Sequence, residues 1–193
     1  MKHSKFDTKA RDLWSLPDHL PVGEEEIPIR ADFRNILQVM AVLEDSRFPE
    51  FYRWHRALAL FYAAPVPETL EYPAMAAMAD FIRYGSQDTP GPKHLDWLQD
   101  APLIIADVNR VAGRELRSIP FVHWWTFLGW FHAIGQGQLA TVVALRQKLA
   151  ARQKLESWEQ EFYRQNRALV DLKAPLTEAE LAEKERLNKL LGN

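Results

Sequence analysis

At 193 residues the chain is long enough for one well-cored domain, with little room for two. Its 47% apolar and 26% charged content is that of a folding globular chain, and a net charge of −2 supplies no global field toward nucleic acid or anionic lipid. The absence of cysteine excludes disulfides, iron–sulfur clusters, thiolate zinc sites and a thiol nucleophile.

The opening Met1-Lys2-His3-Ser4-Lys5 is basic, but no apolar run follows it. No signal peptide is therefore read, and the cytoplasm is the expected compartment. Residues 1–15 form a polar segment, with a helical turn expected around 8–14. Short apolar pieces then flank Gly23-Glu24-Glu25, which predicts a small β-hairpin of 20–22 against 26–29. Pro21 and Pro28 each remove a ladder donor, so this is a two-stranded ribbon that has to lie on helices.

Asp32 offers a side-chain oxygen in front of the periodic Phe33, Ile36, Leu37, Met40 and Leu43, and so predicts a capped helix ending near Asp45. Pro49 fits the first turn of a second helix with Phe51, Trp54, Leu58 and Phe61 inward. A third helix runs through Leu70, Met75, Met78, Phe81 and Ile82 toward Gly85, and Pro90-Gly91-Pro92 marks the loop 86–93. Asp100 is placed to cap a helix over 101–112, with Pro102 in its first turn and Gly113 at its stop.

Ser118 and Pro120 are expected to start the helix carrying Phe121, His123, Trp124, Trp125, Thr126, Phe127, Leu128, Trp130, Phe131 and His132, which ends at Gly135. It holds three of the seven tryptophans and three of the ten phenylalanines and is apolar nearly all round. Such a helix is normally buried or in lipid. The run falls about four residues short of the roughly 20 that cross a bilayer, so a buried central helix is expected rather than a membrane span. Beyond Gly135-Gln136-Gly137, residues 139–172 are periodic, with a change of phase near Ala150-Ala151 that predicts a bend or break. Thr177 and Glu180 form a capping box, and Leu176 and Leu181 a staple, for a last helix within 173–193. The expected architecture is mainly α: six to seven helices and an N-terminal hairpin in a domain over 16–172, followed by the capped C-terminal helix.

Catalytic chemistry finds little support. His123 and His132 lie on nearly opposite faces of one helix and cannot hold one metal ion. A buried His123 hydrogen-bonded to a neighbouring helix is the structural reading. Glu24-Glu25-Glu26 is a solvated run, and Asp32 and Asp100 are explained as caps. Gly135-Gln136-Gly137 lacks the third glycine and lysine of a phosphate loop. Arg110, Arg114 and Arg117, or Arg146, Lys148, Arg152 and Lys154, are diluted by neighbouring carboxylates, so nucleic-acid binding is not expected. No cofactor, metal or enzymatic activity is expected. Trp158, Phe162 and Leu169, on a late amphipathic segment, suit either core packing or a partner-binding face.

His123-Trp124-Trp125-Thr126-Phe127-Leu128, with Ile29-Arg30-Ala31-Asp32-Phe33-Arg34 upstream and Asp100-Ala101-Pro102-Leu103 between them, resembles the signature of the bacteriophage gp-fifteen family. Val111-Ala112-Gly113-Arg114-Glu115 departs from that family's usual tyrosine–glycine–isoleucine–aspartate. The resemblance makes Asp32, Phe33, Arg34, His123, Trp124, Trp125 and Phe127 signature residues. It implies a siphophage tail assembly chaperone that binds the tape-measure protein and tail-tube components in the host cytoplasm and self-associates, without catalysing a reaction. A minor tail protein retained in the virion is the alternative.

Overall fold

A computed structural model describes residues 15–84, 92–173 and 186. Among the described residues, the chain order is β1 (His19–Val22), β2 (Glu25–Pro28), α1 (Phe33–Glu44), α2 (Glu50–Phe61), α3 (Glu71–Arg83), α4 (Ala101–Ala112), α5 (Trp124–His132), α6 (Gln138–Ala150), α7 (Ser157–Gln165) and α8 (Arg167–Val170). The expected class, mainly α with a small N-terminal hairpin, is the observed one. The turn at 8–14, the loop tip at 86–91 and the Thr177/Glu180 capping box fall outside the described residues. Contacts gather the chain into two compact units. One comprises Met1–Gly91 and Ile105–Gly135, the other Pro92–Ile104 and Gln136–Asn193, so the division falls within α4.

In the first unit the hairpin alternates as a strand pair with one covered face must. Leu20, Val22 and Ile27 are buried while His19, Pro21 and Glu26 face out. Gly23 takes φ 66°, as the first position of a tight two-residue hairpin turn requires, and a Cβ there would lie 3.1 Å from Leu70. The strand β1 packs on α3, which supplies the support a lone ribbon lacks. Beyond β2 the chain is tied to the end of α2, where Arg30 N donates to Phe61 O at 2.8 Å and Ala63 N to Pro28 O at 2.8 Å.

Asp32 caps α1 as expected, its carboxylate accepting from the Arg34 amide at 2.9 Å. The stripe that α1 buries is Phe33, Ile36 and Val39, with Leu37 and Met40 half-covered. Helix α2 buries Ala57, Leu58 and Phe61, but Phe51, expected inward, is 77% exposed. Helix α3 buries Ala74, Ala77, Met78 and Phe81 and stops at Tyr84, which adopts φ 47°. The phenol of Tyr62 donates to Ala74 O at 2.9 Å, tying the end of α2 to α3, and burial pushes its pKa up.

The central aromatic helix differs from expectation in length and cover. It begins at Trp124 rather than at Ser118 or Pro120 and ends at His132. Leu116–Ser118 form a separate 3-10 turn, and the stretch up to His123 stays out of the helix because its backbone is used elsewhere. Trp124, Phe127 and Leu128 are buried, whereas Phe121, Gly129 and His132 are exposed. The helix is core along one stripe only.

The second unit resolves the periodic stretch 139–172 into α6, α7 and α8. The break falls where the phase of the pattern changes. Arg152 adopts φ 52°, Gln153 N reaches back to Lys148 O at 2.8 Å and Arg152 N to Leu149 O at 3.1 Å. This pair of bonds closes α6 in the Schellman manner with an arginine where glycine is usual. Glu156 and Glu159 then form a capping box that starts α7. Val142, Leu145 and Val170 form the apolar centre, with Leu103, Leu149, Leu155, Phe162, Tyr163 and Leu169 packed against it.

Through this centre runs Arg146, nearly all of it buried. Its guanidinium donates to both oxygens of Asp100 at 2.6 and 2.8 Å, to Val170 O at 2.7 Å, to Leu169 O at 2.8 Å and to His94 O at 3.0 Å. Asp100, expected as a helix cap, is fully buried and also accepts the Asp96 amide at 2.9 Å. Its larger task is the arginine, because a buried guanidinium is tolerated only when its charge is paired and its donors are satisfied. Replacing one partner strands the other. Asp100→Ala is expected to destabilise the protein by about 3–5 kcal/mol in urea unfolding, since it leaves an unpaired buried cation.

Candidate functional site

The signature residues converge in the first unit, and the bonds they make explain why these residue types are there. Segments 31–33 and 122–124 run antiparallel. Phe33 N donates to Val122 O at 2.9 Å and Trp124 N to Ala31 O at 2.7 Å, with Asp32 and His123 facing across the bridge. While one oxygen of Asp32 caps α1, the other accepts Val122 N at 3.0 Å. Arg34 pairs with Asp32 at 3.1 Å and donates to Leu116 O at 3.2 Å and Ile119 O at 2.8 Å. Phe33 stacks on Phe127 with ring centroids 4.6 Å apart and lies 4.5 Å from the Arg34 guanidinium.

The double tryptophan closes the end of α3. Trp124 Nε1 donates to Ile82 O at 2.9 Å and Trp125 Nε1 to Phe81 O at 3.1 Å. These carbonyls belong to the last turn of a helix, where no intrahelical amide is left to serve them. Trp124 thus buries its ring, Trp125 half-buries its own, and each satisfies an orphan acceptor at once. Phenylalanine would do the first and not the second.

His123 is buried, with 5% exposure, and acts as the N-cap of α5. Its Nδ1 accepts the Trp125 amide at 3.1 Å, which places the ring proton on Nε2, 3.0 Å from Pro17 O. The expected partner was a neighbouring helix; the observed one is the strand-flanking segment before the hairpin. Burial holds the imidazole below its ordinary pKa, with the Pro17 carbonyl opposing more weakly. A charged ring would also turn Nδ1 from acceptor to donor against the Trp125 amide.

Of the expected interface residues, Trp158 is 56% exposed, with its indole N–H on Glu156 at 3.1 Å. Phe162 and Leu169 are half-buried against the apolar centre of the second unit. Several cations considered for nucleic acid are paired with carboxylates: Arg110 with Asp107, Arg117 with Glu115, Arg146 with Asp100 and Lys148 with Glu159. Sequence reasoning missed a groove between α2 and α3. It is lined by Glu50, Phe51, Trp54, His55, Leu58, Glu68, Glu71, Tyr72 and Met75. Tyr72 is 81% exposed there, and Phe48 and Tyr52 stand exposed nearby with rings 5.0 Å apart. The run of aromatics Phe48, Phe51 and Tyr52 was a signal for it, since rings spread around a helix start do not all fall on one inward stripe.

Among the described residues no group of three or more His, Asp or Glu could hold a metal ion, and no helix is long and apolar enough to cross a membrane. The signature residues hold the first unit together, and among the described residues several large aromatic side chains are exposed. The molecule so defined is a mainly helical protein with an N-terminal hairpin, in which a His-Trp-Trp segment ties α5 to the end of α3 and to the residues before the hairpin. The sequence pattern of the family described as Bacteriophage Gp15 protein matches residues 16–172, and the chain belongs to that family, as a phage structural or assembly protein. No curated protein and no solved structure matches it.

Two measurements check the seam. Asp32→Ala removes a cap and orphans the Val122 amide, and is expected to cost at least about 2 kcal/mol in chemical denaturation. Because folding favours the neutral His123 ring, the unfolded chain takes up this proton first as pH falls. Stability should therefore be full above the ordinary value of 6.5 and decline from there down to the lowered native value. In His123→Asn, which keeps an N-cap acceptor, this part of the pH dependence should vanish from unfolding curves.

Proposed function

We propose that this protein is a non-enzymatic tail assembly chaperone that binds the tape-measure protein and tail-tube components in the host cytoplasm. The observation that carries the reading is the family match over residues 16–172, which includes the His-Trp-Trp segment and the Asp-Phe-Arg segment. The structure is compatible with this work in a specific way. Binding long helical targets calls for exposed apolar surface on a stable helical scaffold. Phe48, Phe51, Tyr52 and Tyr72 provide such surface on the first unit, which the signature residues stabilise, and Trp158 provides it on the second. Self-association would let many copies cover one long target through avidity.

Co-expression with the phage's tape-measure protein tests the reading. A soluble complex with several copies of this chain per partner is the expected result, read by light-scattering mass. Mass spectrometry of purified virions should find the chain absent. Its presence in the virion, with no soluble complex, would assign it to the minor tail proteins instead.

A further inference from the structure

We propose that the groove between α2 and α3 docks an amphipathic helix of a partner protein, apolar along one ridge and flanked by lysine or arginine. The inference rests on the chaperone reading for the existence of a helical partner, and adds where that partner sits and what charge it carries. The groove has a floor and walls of unequal cover. Leu58 is buried at its base, Trp54 and Met75 are half-covered, and Phe51 and Tyr72 stand 77% and 81% exposed on α2 and α3. Two large rings left in water on adjacent packed helices bound a channel suited to a third helix, with its apolar side chains laid between them.

Charge decides which helix. The lining carries three carboxylates, Glu50, Glu68 and Glu71, against a single histidine, His55. His55 lies 3.5 Å from Glu71 and adds positive charge only when protonated. Arg53, also on α2, donates to Leu43 O at 2.5 Å and is not among the lining residues. An apolar channel with an acidic rim attracts a helix with cationic flanks and repels one with acidic flanks.

The probe is a fluorescein-labelled helical peptide of about five turns, built from leucine, alanine and lysine with leucine on one face. Its counterpart carries glutamate in place of lysine. Titrated with the full protein, the lysine peptide should bind at least about ten-fold more tightly than the glutamate one, and binding should weaken as salt rises. The double variant Phe51→Ser/Tyr72→Ser should lose at least about ten-fold of that affinity. Its melting should be unchanged, since both rings are already in water. Glu68→Lys/Glu71→Lys should reverse the preference between the two peptides. Equal binding of both peptides, or undiminished binding by the serine variant, would overturn the proposal. So would a dimer of this protein that the serine variant breaks and the lysine peptide cannot displace, since the groove would then belong to a second copy.

The tape-measure co-purification, repeated with the serine variant, separates this inference from the reading beneath it. If the variant retains the tape-measure protein, the groove is not its site and the chaperone reading stands. If the wild type captures no tape-measure protein while the lysine peptide binds the groove, the docking site stands and the chaperone reading falls.

Discussion

The first unit depends on the antiparallel seam between residues 31–33 and 122–124. These segments are far apart in the chain, so closing the loop between them costs considerable entropy before any contact repays it. The seam repays it in several ways at once. Backbone bonds join the two segments, Asp32 serves the start of α1 and the Val122 amide together, and Arg34 holds the carbonyls of Leu116 and Ile119. Both α1 and α5 begin at this seam. Their first residues are therefore held side by side, where Phe33 stacks on Phe127.

The same economy employs the polar ring atoms of His123, Trp124 and Trp125 within the fold. His123 has a donor on one ring nitrogen and an acceptor on the other, and neither is left for a substrate or a metal. The two indole N–H groups serve carbonyls at the end of α3. Phe81 lies against Phe61, His123 and Trp125, so α2, α3 and α5 meet in one aromatic network. Polar groups buried this thoroughly give a fold its uniqueness when every one is satisfied, and destabilise it when one is not. The second unit follows the same rule with a different residue: Arg146 gathers Asp100 and three backbone carbonyls around itself.

What the fold leaves over is surface. Among the described residues, large aromatic side chains stand exposed on α2, on α3 and at the start of α7. They are carried on helices whose other faces are packed, so they can be engaged without disturbing the scaffold. Around Phe51 and Tyr72 the exposed surface is acidic, with Glu50, Glu68 and Glu71 lining the same groove.

By itself the sequence determined the helical class, the hairpin, the capping of α1 by Asp32 and the ends of α4, because these follow from local propensity and from turn and cap chemistry within a few residues. The break after Ala150 was legible for the same reason, as a change of phase in the apolar repeat. Local patterning could not decide which aromatic residues turn inward. Phe51 fits a helical stripe and lies in water, and Phe121 to His123 look helical but stay extended to pair with a segment about ninety residues away. Nor could it show that Asp100 serves Arg146, or that Trp124 and Trp125 serve α3. Those assignments join residues distant in the chain. They exist only once a buried donor or acceptor has to find its complement, and that need arises in the folded interior alone.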